Sequence, residues 1–198
     1  MTLMSSKIVA RVVLGTLGLI EGAAALARFR ERAVSFEDAA ERAAKLGRRL
    51  VVVGDPDAGF HTRFMRAYGC GDVCVDANGC PKCPLTVIAD ITNGPTSGIE
   101  DDSGVVFVSC VLEYVEDLEG ALRELSRIAG SPENLFIVNV QPWTATAWLY
   151  PGARWRGDVS SDASAGEMKA VSPGEKLLVG GVLGLTLAAA LWPGGSEP

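Results

Sequence analysis

The sequence predicts an α/β fold: a Rossmann-like parallel sheet of about five strands, flanked by an N-terminal and a C-terminal membrane helix. Three observations lead there. Short apolar runs recur through the middle of the chain, alternating with loop and helix patterns. These runs are continuous rather than alternating, as expected for strands covered on both faces. The two ends of the chain, by contrast, are long and nearly uncharged.

Composition bounds the rest. The chain has 198 residues, 48% hydrophobic and 21% charged, values that exclude a disordered chain and a polytopic transporter. Lys and Arg number 18 against 24 Asp and Glu, a net charge of -6, so no nucleic-acid partner is expected. Mean hydropathy is +0.23, and the apolarity is concentrated at the ends.

Residues 7–29 are read as an anchor helix. Its core, IVARVVLGTLGLIEGAAALA, carries only Arg11 and Glu21. Arg11 lies near one end and can snorkel. Glu21 needs a partner or a proton at membrane depth. A helix lying on the membrane surface and a cleaved signal peptide ending at Ala23-Ala24-Ala25 are the alternatives. The basic block Arg28, Arg30 and Arg32 argues against cleavage.

Residues 30–156 form the globular domain. Ser35 is expected to cap a helix over FEDAAERAAKL that Gly47 ends. Strands follow at 50–53, 73–75, 85–88, 105–108 and 135–140, with helices at 61–67 and 117–129. In the second of these helices Leu118, Ala121, Leu122, Leu125 and Ile128 share one face. Residues 157–176 read as a linker rich in Ser, Asp and Gly. Residues 177–192, LLVGGVLGLTLAAALW, hold no charge and span about 24 Å as a helix, short but usable across a hydrocarbon core. Gly180, Gly181 and Gly184 are better tolerated in lipid-packed helices than in water, and Trp192 is an interfacial anchor.

Lys and Arg follow the first apolar segment closely and precede the second, and none follows the second. The positive-inside rule therefore places the central domain in the cytoplasm and both termini outside. An odd number of cysteines, five, suits a reducing compartment.

The candidate chemistry sits at strand ends. Gly54 and Gly59 bracket a turn after the first strand, able to present backbone N–H groups to a ligand. Asp76 ends the second strand, where an acid accepts hydrogen bonds from ribose hydroxyls. Asp90 ends the third. Cys70, Cys74, Cys80 and Cys83 have the ligand count of a zinc site, with Cys80-Pro-Lys-Cys83 as a knuckle, but incomplete spacing makes them weak metal candidates beside simple core packing and loop thiols. His61, the only histidine, is a base or a surface residue. Trp143, Trp148, Tyr150 and Trp155 cap a pocket, cover the sheet edge or dock at the membrane.

The order of these elements resembles the Rossmann-like class I methyltransferases that use S-adenosylmethionine. The strongest match is VVFVSCVLEYVEDLEGALRELSRIAGSPENLFIVNVQPW, with Leu112-Glu113-Tyr114, Asp117 and Arg127 in the family's positions. The resemblance covers about residues 35–143 and is truncated, since the family's sixth and seventh strands have no counterpart. It implies that Gly54, Asp55 and Gly59 lie under the methionine part of S-adenosylmethionine. It implies further that Asp76 binds the ribose, Asp90 and Ile91 flank the adenine, and Ser109 and Cys110 line the pocket. The function it implies is methyl transfer near the membrane, to an unknown acceptor. The alternative is a catalytically inactive relative serving as a membrane scaffold or partner-binding module. The expected partners are the lipid membrane and either a membrane protein or a second copy of the chain.

Overall fold

In the computed structural model, which describes residues 2–58, 66–150, 152–160 and 162–191, one helix carries the whole N-terminal region. This helix, α1 (Thr2–Leu46), runs unbroken through the apolar stretch and the Ala-rich run. Ser35 therefore lies in a helix interior and caps nothing, correcting the expected start. The reason is local: RFRERAV, between the two runs, contains no Gly or Pro to break the ladder. Gly47, at φ 63°, ends the helix as expected.

The strands are β1 (Arg49–Val53), β2 (Val73–Asp76), β3 (Thr86–Ile88), β4 (Gly104–Ser109) and β5 (Leu135–Val138). They form one parallel sheet in the order β3-β2-β1-β4-β5. Val52 pairs with Cys74 on one side and Phe107 on the other. Strand β5 stops at Val138 because the Val140 N–H turns away to the Glu113 carboxylate.

Both faces are covered, which explains the unbroken apolar runs. On one face Ala39 and Ala43 of α1 pack on Leu50, Val52, Val105 and Phe107. Their small side chains let the helix lie close, and Phe36 meets Phe107 edge-on at 5.5 Å. On the other face α2 (Leu118–Ala129) lays Leu118, Leu122, Leu125 and Ile128 over Val51, Val53, Val106 and Val108. Burying one such Leu contributes about 2 kcal/mol. Asp117 caps α2 by accepting the Gly120 N–H at 2.9 Å, and Gly130 ends it in the left-handed conformation.

After the sheet come a short helix α3 (Ala145–Leu149) and a two-stranded antiparallel ribbon, β6 (Trp155–Arg156) and β7 (Lys169–Ala170). The ribbon is separate and does not extend the main sheet. The 157–176 stretch, expected as a linker, packs on the α2 side of the core through Val159, Ala165 and Met168.

The last helix, α4 (Pro173–Leu191), starts four residues before the apolar run. A reciprocal cap sets that start. Ser172 Oγ accepts the Glu175 N–H at 3.1 Å, and the Glu175 carboxylate accepts the Ser172 N–H at 2.9 Å. Pro173 follows at a position where its missing N–H costs nothing. Trp192 lies outside the described residues.

Helices α1 and α4 are long and apolar enough to span a membrane, and they pack on each other. Unlike core helices, they turn their apolar side chains outward: Leu19 is 76% exposed, Leu177 78% and Leu185 75%. Glu21, the acid inside the first apolar stretch, has its partner. Its carboxylate accepts the Ala145 N–H at the start of α3.

Candidate functional site

The strand order reverses between β1 and β4, so the chain leaves their carboxyl ends in opposite directions. A crevice opens at that switch point. Here it is a cavity of about 400 Å³, within the range of small-molecule sites. Val53, Val75, Ile91 and Val111 supply its apolar lining.

Gly54 lines the cavity at φ 97°, and its N–H bonds to the Val75 carbonyl at 2.8 Å. A Cβ there would meet Val111 Cγ2 at 2.6 Å, so backbone conformation and space both demand glycine. Asp55 and Asp76 line the cavity too. Asp76 joins two loops: its carboxylate accepts the Asp55 N–H at 3.2 Å and the Asn78 N–H at 2.7 Å. Each oxygen thus has one fixed donor and keeps acceptor capacity for a ligand hydroxyl. The second acid of the turn, Asp57, is engaged elsewhere, 3.7 Å from both Arg66 and Lys82. Gly59 and His61, and most of the expected 61–67 helix, lie outside the described residues.

Ile91, Ser109 and Cys110 line the cavity, whereas Asp90 does not reach it. The Asp90 carboxylate folds onto its own turn, accepting from the Thr92 N–H and hydroxyl and from the Asn93 amide. Asp90 opens a turn closed by the Asn93 N–H on its carbonyl, and its side chain caps that turn at the surface while Ile91 is buried. Cys110 holds φ 53°, a conformation rare for a residue with a side chain, immediately after β4.

The cavity also holds two cations and a phenol that carried no site expectation. Arg28 and Arg32 come from α1, and Tyr68 precedes β2. Arg28 is only 6% exposed, and its Nη1 finds no hydrogen-bond partner among the described residues. Arg32 Nη2 donates to Cys110 Sγ at 2.8 Å, while its Nε is unpartnered. A usable signal was present: Arg28 and Arg32 are four apart on one helix face, whereas Arg30 points away and is exposed. Burial pushes the Tyr68 phenol up to about 12 and raises Tyr114 as well, so both stay neutral donors. Burial also raises the Cys110 thiol and the Glu113 carboxyl.

No family model, curated protein or solved structure matches the chain. What the structure establishes is a Rossmann-like α/β layout with two long apolar helices.

Of the aromatic group after the sheet, only Tyr150 reaches the cavity, where it meets Tyr114 edge-on at 5.7 Å. Trp155 donates its indole N–H to the Val115 carbonyl, Arg156 stacks on Trp148 at 3.9 Å, and Trp143 is exposed.

The cysteines depart from expectation. Cys70 pairs with Cys83 and Cys74 with Cys80, so four of the five are disulfide-bonded, and none of the four is a loose thiol. Only Cys110 is free. The odd count followed from this one unpaired residue and is no sign of a reducing compartment. The sulfurs of Cys74, Cys80 and Cys83 do lie within 4.8 Å of one another. As disulfides, however, they present no thiolate to a metal.

Proposed function

We propose that the chain is a membrane-anchored S-adenosylmethionine-dependent methyltransferase-like protein. The single observation that supports this best is convergence: Gly54, Asp76 and Ile91, on three successive strand ends, line one cavity at the switch point of a 3-2-1-4-5 sheet. The residues fit the cofactor's chemistry. Asp76 has acceptor capacity for a ribose diol, and Ile91 with Val111 offers an apolar lining for a purine.

When bound, S-adenosylmethionine supplies an electrophilic methyl group on a sulfonium. The chain then has to hold the acceptor nearby and in line, since methyl transfer rests mainly on proximity and orientation. Neutral Tyr68 and Tyr114 suit that role as hydrogen-bond donors. Tyr150 helps to close the aromatic wall and limit water.

Calorimetric titration with S-adenosylmethionine, with Asp76→Ala as control, tests the proposal. Wild type binds in the micromolar range, and the variant loses roughly tenfold or more. Absence of wild-type binding at millimolar cofactor sinks the enzyme reading.

A second reading has its own support. The main sheet ends at five strands, and the later ribbon stands apart from it. That favours an inactive relative, a scaffold holding a membrane protein or a second copy through the outward apolar faces of α1 and α4.

We place the domain on the cytoplasmic side, on the strength of Arg30, Arg42, Lys45, Arg48 and Arg49 after the first span. The two disulfides favour the opposite side. A membrane-impermeant maleimide on Ser97→Cys, an exposed position, decides: labelling of intact cells from outside overturns the cytoplasmic placement.

A further inference from the structure

We propose that Arg28 and Arg32 form a receiving site for an anionic group, a carboxylate or a phosphate, on the ligand that the cavity takes. The proposal rests on their geometry and holds whatever reaction the cavity serves.

Both guanidiniums line the cavity, and they reach it from the same face of α1. Arg28 is buried to 6% exposure with its Nη1 lacking any hydrogen-bond partner among the described residues. Arg32 spends one N–H on the Cys110 sulfur and leaves its Nε without a partner. An arginine offers five donors in a fixed fork, and burying them unsatisfied is strongly unfavourable. Such a fork matches the paired oxygens of a carboxylate or phosphate.

The protein's own anions do not fill that role. Neither arginine forms an ion pair with a carboxylate among the described residues. Glu113, which feels the charge of both arginines, is itself buried, accepts the Val140 N–H with one oxygen and leaves the other unpartnered among the described residues. Burial raises the Glu113 carboxyl and the Cys110 thiol, against the pull of the two arginines, and neither group supplies a partner to the open Arg28 Nη1 or Arg32 Nε. The other charged lining residues are Asp55, in the loop after β1, and Asp76, the last residue of β2. The cavity is therefore acidic on the strand side and basic on the helix side. A ligand with hydroxyls at one end and an anion at the other suits it.

Two sources share this chemistry: the carboxylate of an amino-acid-bearing nucleoside, and a separate anionic acceptor. The experiment uses the full chain in detergent micelles, with inorganic phosphate as the first probe. Phosphate is expected to raise the melting temperature of wild type, with affinity falling roughly tenfold or more in Arg28→Gln and Arg32→Gln, and less in Arg28→Lys.

The second arm compares S-adenosylhomocysteine with 5′-methylthioadenosine, which lacks the carboxylate. Weakening of the first alone in Arg28→Gln assigns the anion to the nucleoside ligand. Weakening of neither, with phosphate affinity lost, assigns it to a separate anionic ligand. Failure of both nucleosides to bind wild type removes the cofactor reading and leaves the phosphate arm intact. Without phosphate, Arg28→Gln is expected to melt no lower than wild type, because no partner is lost. Phosphate affinity unchanged in both Gln variants, or no effect of phosphate on wild type, overturns the proposal. So does a lower melting temperature in Arg28→Gln with phosphate binding intact.

Discussion

Two arginine environments in this molecule differ in one respect that separates structure from site. Arg127, on α2, is fully engaged. It donates to Glu124 through Nε and Nη2, to Asp101 at 2.6 Å and to the Ile99 carbonyl at 3.0 Å. Glu124 is buried and also accepts the Thr96 N–H at 2.7 Å. This network ties the loop before β4 to α2, and every partner belongs to the chain. Arg28 is at least as buried, yet its Nη1 has no partner among the described residues. An arginine with every side-chain nitrogen bonded holds the fold together. One with bonds left open at a cavity awaits something from outside.

The largest expected effect is on the engaged arginine. Arg127→Ala leaves the buried Glu124 carboxylate uncompensated and is expected to cost about 3 kcal/mol, read by urea denaturation. Arg28→Gln under the same protocol should change stability by less than about 1 kcal/mol, and equal losses in the two variants erase the distinction.

Next is the pH dependence of each cluster. Burial alone would raise the Glu124 carboxyl, but the Arg127 guanidinium and the Thr96 N–H outweigh it and hold the group below the usual carboxylate range. Its folded pKa is lowered, so its stabilisation is complete above the ordinary carboxylate value, about 4.3. It is lost as pH falls further, through the folded value. Arg127→Ala should flatten this acid limb of the stability curve.

Glu113 has the opposite sign. Burial, outweighing the Val140 N–H and the two arginines, raises its folded pKa, so the folded state keeps a proton that the unfolded chain releases. Its stabilisation is complete below about pH 4.3 and declines as pH rises through the folded value. Glu113→Gln should remove that decline, and a curve with unchanged slope above pH 5 excludes Glu113 as its source. The smallest effect is expected at Arg30, exposed on the opposite side of the helix from Arg28. Arg30→Gln should leave both stability and phosphate affinity within error.

The contrast also shows what was legible beforehand. Leu118, Leu122, Leu125 and Ile128 announced α2 by their spacing, and the expected first residue, Asp117, is its cap. The five strands were visible as apolar runs, with bounds off by one residue at β1 to β4 and by two at β5. Six of the eight proposed site residues line the cavity. Asp90 turns outward into its own Asx turn, and Gly59 lies outside the described residues. Less visible was the role of the basic block after the anchor. Charges near a membrane segment read as a topology signal, and although the four-residue spacing puts Arg28 and Arg32 on one helix face apart from Arg30, it does not say that this face lies over a cavity.

By itself the sequence determined the local elements, because period, β-branching and capping residues act over a few positions. It also determined the apolar character of residues 8–27 and 177–191, whose composition leaves almost no polar face. Only the tertiary structure decided how distant groups meet. Arg32 reaches Cys110 across 78 positions, Glu21 finds the Ala145 N–H across 124, and four cysteines sort into two particular pairs. Such contacts depend on the order in which strands lie side by side. A 3-2-1-4-5 sheet with α1 across one face brings these residues together, and no pattern within a short window encodes that meeting.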